Sequence, residues 1–477
     1  MALETVAQLR QVPAGSDDKC RVDIAEAEAA SSVSDFRRQR DAAARAAGRA
    51  QESQATQLLA RAEEEEGEAQ RSLGNLADAM NLWKDAQNRY TAIGDQSAVV
   101  RLMIDGGHVH WQQGDARGAE GIYSNAVSMS EQIGDEANHG RALTALAQVV
   151  MYYVGLAEGE RLCNQALAIF RRTGNKQEEA YTLSLMGDIL FTHHAQAISL
   201  YQQSLELSQQ VNDRSRTAGR LMDLGIQATV EGNLNTADSY FQQSLAIYRQ
   251  TGERDREALQ LHGLAIVRMW QGRLDEAERL SSQAVAILAS AGEPVPLAQC
   301  RATLGVIQME RGRLGEAEAT LKLAIEEQGI ASSQLAEVLL REGKLEESKV
   351  SLRFYDHAEN APKDKRIPGE HTIQREIVAA LIDAAEKKPG QAQREALRAE
   401  YEARAMDQGS MLMKARLVLG EIELQGTDKA SGRRDLMSLV NDAESRGFGL
   451  ITHKAELALG GRADVQSLRP PELSAHN

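Results

Sequence analysis

Proline is nearly missing from this 477-residue sequence: there are 8, and the 280 positions between Pro13 and Pro294 hold none. A length that suggests about three ordinary domains would need linkers and turns, and these usually carry proline. Long uninterrupted helices do not tolerate it. Aromatic residues are also scarce, at 4% of the chain, too few to fill the faces of several sheets. The three cysteines, Cys20, Cys163 and Cys300, lie far apart and form neither a disulfide framework nor a CxxC zinc pattern.

Positive charge is in deficit as well. Lys and Arg number 54 against 69 Asp and Glu, a net charge of −15, and this excludes the basic footprint of direct nucleic-acid binding. The longest uncharged run, Ala142 to Ala157, contains Thr144 and Gln148 and is shorter than the roughly 18–20 apolar residues of a membrane span. Met1 to Arg10 has no apolar core like that of a signal peptide. A cytoplasmic protein without membrane partners is expected.

Catalytic signatures are lacking too. No GxGxxG, P-loop, HExxH, GxSxG or EF-hand pattern occurs. His108 and His110 stand two apart and point about 200° apart on a helix, so they cannot share a metal. His193 and His194 read as a solvated turn, and Glu63 to Glu66 as a solvated face. Cys163 and Cys300 read as buried and inert. No enzyme activity, cofactor or metal is expected.

What is present is a period. Gly94, Gly134, Gly174, Gly252 and Gly292 recur, with Asn212 standing in once, at spacings of 40, 40, 38, 40 and 40. Each can end a helix in the left-handed conformation. Each is followed by a polar residue able to cap the next helix: Asp95, Asp135, Asn175, Asp213, Glu253, Glu293. Within each period a small residue falls at Gly67, Gly107, Ala147, Gly187, Gly225, Ala265, Gly305 and Ala336, with a turn glycine seven residues later in most. A second small series follows at Ala79, Ala119, Gly159, Ala197, Ala237, Ala277, Ala317 and Ser348, and beyond it a bulky residue is frequent: Trp83, Tyr123, Tyr201, Phe241, Leu321. Cys163 takes that place once. Antiparallel helices approach closely only where both carry small side chains, so each period reads as a hairpin. One hairpin cannot bury its faces alone, and hairpins therefore stack.

These motifs resemble the tetratricopeptide repeat (TPR) family over about Ala60 to Tyr355, as eight helix pairs. "QGDARGAEGIYSNAV", "EGNLNTADSYFQQSL" and "QGRLDEAERLSSQAV" carry the likeness. The usual period is 34; a period of 40 also suits HEAT or armadillo repeats, but the small-residue series and bulky filler favour TPR. The third and fourth pairs depart from the pattern, with Val154 at the turn-glycine position and two residues missing near His193. The fold class expected is all-α, a right-handed α-solenoid of about eleven antiparallel hairpins.

The expected organisation is a frayed N-terminus (1–20) and a TPR array (21–357) whose first hairpin is degenerate, with its turn near Ser34. A linker (358–370), C-terminal TPR-like pairs with a capping helix (371–460) and a disordered tail (461–477) follow. "RVDIAEAEAA" at the start and "SRGFGLITHKAE" near the end make the whole similar to the C-terminal TPR regions of large bacterial modular regulators, of serine/threonine kinase or winged-helix type. That resemblance implies a regulatory setting and no catalytic residue. It also leaves two expectations: a free-standing module, or one whose effector domain is missing.

Residues one and four or five positions after each A-helix small residue are expected to face a concave groove: His108, Trp111, Gln112, then Gln148, Met151, Tyr152, then Asp188 and Phe191, then Ile266, Met269, Trp270, then Val306 and Met309. Trp and Tyr are favoured binding anchors and Met adapts to varied partners; packing between A helices is the alternative. Arg61, Arg101 and Arg141 recur at one phase, as clamps for acidic groups or as solvated caps. The function expected is a scaffold that binds a protein or peptide partner in the groove, with possible self-association. The alternative is a ligand-sensing regulatory domain responding to a small molecule or signal peptide.

Overall fold

The computed structural model describes residues 2–10, 15–33, 35–358, 370–426 and 429–460, and these are entirely helices and turns. The expected turn at Ser34, most of the expected linker and the C-terminal tail lie outside the described residues. The chain divides into two compact units, Met1–Asp213 and Arg214–Asn477.

The first unit holds α1 (Ala2–Leu9), α2 (Ser16–Ser31), α3 (Phe36–Glu52), α4 (Thr56–Ser72), α5 (Leu76–Ile93), α6 (Gln96–Gln112), α7 (Ala116–Ile133), α8 (Glu136–Val150), α9 (Leu156–Thr173), α10 (Lys176–Ile189) and α11 (His194–Gln210). The second holds α12 (Arg214–Glu231), α13 (Leu234–Thr251), α14 (Arg254–Trp270), α15 (Leu274–Ala291), α16 (Pro294–Glu310), α17 (Leu314–Gln328), α18 (Ser332–Arg341), α19 (Leu345–Ala358), α20 (Glu370–Ala385), α21 (Pro389–Ala405), α22 (Gly409–Gln425), α23 (Lys429–Arg446) and α24 (Gly449–Ala458). From α2 to α23 the helices pair as antiparallel hairpins, even-numbered A helix with odd-numbered B helix, in a TPR-like α-solenoid. The segment expected to fray contains α1 and the start of α2.

The period has its physical basis in the turns. The glycine after each of α5, α7, α9, α13 and α15 has φ between 70° and 79°, and Asn212 has φ 55°. Asp95, Asp135 and Asn175 cap the following helices through Ala98, Asn138 and Glu178 N–H. Glu253 and Glu293 make no such bond. Glu253 instead accepts hydrogen bonds from Ser215 and Thr251.

The small and bulky series meet face to face. A Cβ on Gly67, Gly107, Gly187, Gly225 or Gly305 would lie within 2.4–2.9 Å of Trp83, Tyr123, Tyr201, Phe241 and Leu321 respectively. The bulky side chain therefore lies directly on the A helix. At Ala147 and Ala265, where the A residue is alanine, the B residue sixteen positions on shrinks to Cys163 and Ser281; Ala336, followed by Leu352, does not follow this. Gly420 and Leu436 repeat the glycine pairing in α22 and α23. Interiors packed at crystal density require such volume compensation.

In the second unit the A layer closes. Besides its chain neighbours, α22 packs on α12 and α24 packs on α14. Ser410 Oγ donates to Thr229 O at 2.7 Å, and Arg446 Nη2 donates to Glu231 O at 2.6 Å. Gly409 and Gly449 make the contact possible: a Cβ there would stand 2.0 Å from Glu231 O and 2.3 Å from Gln271 O. Phe448, fully buried, meets Trp270 edge to face. The A helices of this unit form a ring, with one hydrophobic core running from α12–α16 into α20–α24.

Candidate functional site

The ring encloses a cavity of about 560 Å³. Its walls come from α14 (Ile266, Met269, Trp270), α16 (Ala302, Thr303, Val306, Glu310), α18 (Gln334, Glu337, Leu340, Arg341), α20 (His371, Gln374, Leu381), α22 (Met411, Lys414, Leu417, Val418, Glu421) and α24 (Leu450, Ile451, Lys454, Leu457, Ala458). Most of this lining is apolar. One side carries an ion-pair network drawn from five helices.

Glu337 is its centre, with a side chain 2% exposed. It accepts from Lys414 Nζ at 2.8 Å, Arg341 Nη2 at 2.7 Å and Gln374 Nε2 at 3.0 Å. Burial alone would push this carboxyl up. The Lys414 and Arg341 charges together outweigh burial and hold it well below the usual carboxylate range. Glu310 accepts from Arg341 at 3.1 Å and pairs with Lys454 Nζ at 2.5 Å. Glu421 faces the same space, and burial moves its carboxyl up against the pull of Lys454 and Arg341.

The expected groove residues of this unit are placed as follows. Ile266, Met269, Trp270 and Val306 line the cavity. Trp270 is 6% exposed because Phe448 lies on it. Met309 is in the core with Leu321 and Leu335 instead of on the cavity wall.

In the first unit the expected residues fall into separate small groups. Trp111 and Tyr152 pair with ring centroids 5.4 Å apart. Tyr152, 67% exposed, lies with Met151 in the turn that follows a shortened α8, and the exposed Tyr153 and Val154 stand beside it. His108 Nδ1 shares a hydrogen bond of 2.8 Å with Tyr123 Oη, and burial lowers its pKa to about 4. Asp188 accepts from Tyr201 Oη at 2.8 Å. Phe191 packs edge-on to His194, and Tyr181 donates to Gln148 at 3.3 Å. Gln112 is exposed at the end of α6. Asp105, one turn before His108, is raised by burial to about 6.

Several expectations change. Glu63 and Glu64 are buried, not solvated: Glu63 receives Arg89, and Glu64 receives Arg101 and Tyr90 Oη. Arg61, Arg101 and Arg141 serve as internal partners of Glu28, Glu64 and Glu178. His194 is buried as the first residue of α11. Cys163 and Cys300 are buried as expected, and burial pushes both thiols up to about 12. Among the described residues no group of three His, Cys, Asp or Glu is placed to hold a metal, and no helix is long and apolar enough to cross a membrane.

The cavity's charged residues were not among the expected groove residues. Their signal in the sequence is a charge set inside an otherwise apolar stretch of an A helix: Glu337 in "SQLAEVLL", Lys414 beside Arg416 in "MLMKARLVL", Lys454 beside Glu456 in "GLITHKAELAL".

No protein-family model matches the chain, and no curated protein matches its sequence. Solved structures do match. The Signal Transduction ATPase with Numerous Domains (STAND) protein PH0952 from Pyrococcus horikoshii, described as having a tetratricopeptide repeat sensor, aligns at 14% identity over 73% of this chain and 54% of its own, with TM-score 0.48. A Rap protein complexed with Competence and Sporulation Factor aligns at 17% identity over 72% and 96%, with TM-score 0.47. The Rap conjugation gene regulator of plasmid pLS20, in complex with the Phr* peptide, aligns at 15% identity over 74% and 97%, with TM-score 0.49. At these scores none of the three bears on the site.

Proposed function

We propose that the chain is a regulatory binding module without chemistry of its own, and that the ring cavity of its second unit is its ligand site. The carrying observation is the cavity itself. A preformed space of about 560 Å³ with apolar walls and a few converging charges has the size and make-up of a small-ligand site, which typically spans roughly 300–1,000 Å³. It suits a small organic molecule or the end of a peptide. It does not suit a folded domain, because α22 and α24 occupy the face that a larger partner would need. A preformed ring lowers the ordering cost of capture.

The uncharged dye N-phenyl-1-naphthylamine, which brightens in apolar sites, tests this reading. We expect one dye bound per native chain, lost in Ala302→Trp, which fills the cavity from α16. Equal binding by that variant, with an unchanged melting curve, sinks the cavity as a ligand site.

A second reading applies to the first unit. The exposed Tyr152, Tyr153, Val154 and Phe191, at two irregular turns, form an apolar edge suited to a protein partner. Such a partner would make the module a scaffold in bacterial signalling or transcriptional control, the setting that the family resemblance implies. Tyr152→Ser weakening a partner complex without altering dye binding would support it; an undiminished complex would remove it.

A further inference from the structure

The cavity's charges narrow the chemistry of its ligand, an inference that rests on the cavity being a ligand site. Three acids (Glu310, Glu337, Glu421) and three bases (Arg341, Lys414, Lys454) line it, so 3 − 3 = 0 and the wall carries no net charge. A ligand with net charge would be desolvated there without a counter-charge. The distribution is uneven, however. All three bases gather on only two of the acids, Glu310 and Glu337. That cluster has an excess of one positive charge.

Unused hydrogen-bonding capacity lies on both sides. Arg341 makes its bonds through Nη2 alone, so Nε and Nη1 remain. Lys454 pairs with a single carboxylate and keeps two N–H donors. These are groups that donate to a carboxylate, each through single N–H bonds. Glu421 is the opposite case. It is the only acid of the lining with neither a hydrogen bond nor an ion pair among the described residues, and burial raises its carboxyl accordingly. An ammonium group would supply the partner it lacks. Glu421 lies within electrostatic reach of Lys454 and Arg341, and Trp270, Met269, Val306, Met411 and Ile451 supply apolar wall.

We infer that the ring cavity binds a compact zwitterion with an apolar body, of the chemical class of a free apolar amino acid. Its ammonium would sit on Glu421 and its carboxylate on Arg341 and Lys454. The site would discriminate by both charges and by the apolar volume of the side chain. A ligand lacking the ammonium would leave Glu421 without a partner, and one lacking the carboxylate would leave donors of Arg341 and Lys454 unused; discrimination by such polar contacts is typically strong.

The test uses the full chain and four probes of one carbon skeleton: L-leucine, L-leucine amide (cation only), N-acetyl-L-leucine (anion only) and 4-methylpentan-1-ol (uncharged). Binding is read by calorimetry and by displacement of the dye. We expect L-leucine to bind at least tenfold more tightly than each of the other three. Glu421→Gln should reduce L-leucine to the level of N-acetyl-L-leucine and leave N-acetyl-L-leucine unchanged. That variant also keeps the fold, because Glu421 is half-buried and makes no hydrogen bond among the described residues. Equal or tighter binding of a single-charge or uncharged probe overturns the inference, as does L-leucine binding that Glu421→Gln does not change. Binding of none of the probes also overturns it. The dye experiment with Ala302→Trp judges the cavity separately, so the inference can fail while the cavity stands.

Discussion

Trp270 at the end of α14 and Phe448 at the start of α24 meet edge to face, with ring centroids 5.9 Å apart and planes inclined by 67°. They are 178 residues apart in the chain, and their contact closes the ring. The Arg446 guanidinium stands 5.9 Å from the Phe448 ring centroid and donates to Glu231 O, tying the same turn to α12. Phe448→Ala should therefore destabilise the second unit by about 3–5 kcal/mol, the usual cost of emptying a buried phenylalanine site. Urea denaturation checks this. A loss under 1 kcal/mol would mean that the α23–α24 turn does not depend on its seat.

The pairing of glycine with a large side chain predicts non-additivity. Gly305→Ala places a Cβ 2.6 Å from Leu321 and should cost about 1–3 kcal/mol through overpacking. Leu321→Cys alone leaves a void. Together they recreate the Ala147–Cys163 combination, so the double variant should lose at least about 0.5 kcal/mol less than the sum of the single losses. Strict additivity in a double-mutant cycle would contradict the volume compensation.

Glu337 holds three donors from three helices. Lys414→Met removes one charge and leaves a buried carboxylate short of its partners. The cost should be about 3–5 kcal/mol, as for other broken buried pairs. Lys414→Met/Glu337→Gln should recover part of it. A neutral Lys414→Met would show that the network does not hold the ring.

Glu376 in α20 gives a pH dependence of definite sign. Burial first, then the Glu402 carboxylate, raise it to about 7 against the pull of Arg398. The folded state then binds more protons than the unfolded chain between about 4.5 and 7. The contribution of this group is fully present below pH 4.5 and is lost as pH rises through 7. Glu376→Gln should flatten that part of the stability profile, measured as urea midpoints from pH 4.5 to 8. An unchanged slope would show that Glu376 titrates normally.

The sequence made the hairpins legible because their determinants are local. Gly94 ends α5, Asp95 caps α6, and Gly107 meets Tyr123 sixteen residues on. Ring closure was not legible because its contacts join Ser410 to Thr229 and Arg446 to Glu231, 181 and 215 residues apart. The marks it leaves are Gly409 and Gly449, which the repeat pattern does not require. The site was half legible. Counting along the A helices found Ile266, Met269, Trp270 and Val306. It passed over Glu337, Lys414, Glu421 and Lys454, since a charge on a helix reads as solvated until the helix facing it is known. In the first unit, the same counting placed Tyr152 and Phe191 on a helix face, whereas the shortened α8 and α10 leave both in turns.

The most direct test of the closed ring is acrylamide quenching of Trp270, taken as the difference between wild type and Trp270→Phe. In an open solenoid this tryptophan would lie on an exposed inner face. The closed ring predicts that its emission in wild type is shielded and becomes quenchable in Phe448→Ala. Free quenching of Trp270 in the native wild-type chain would contradict the ring, and with it the cavity on which the proposed function rests.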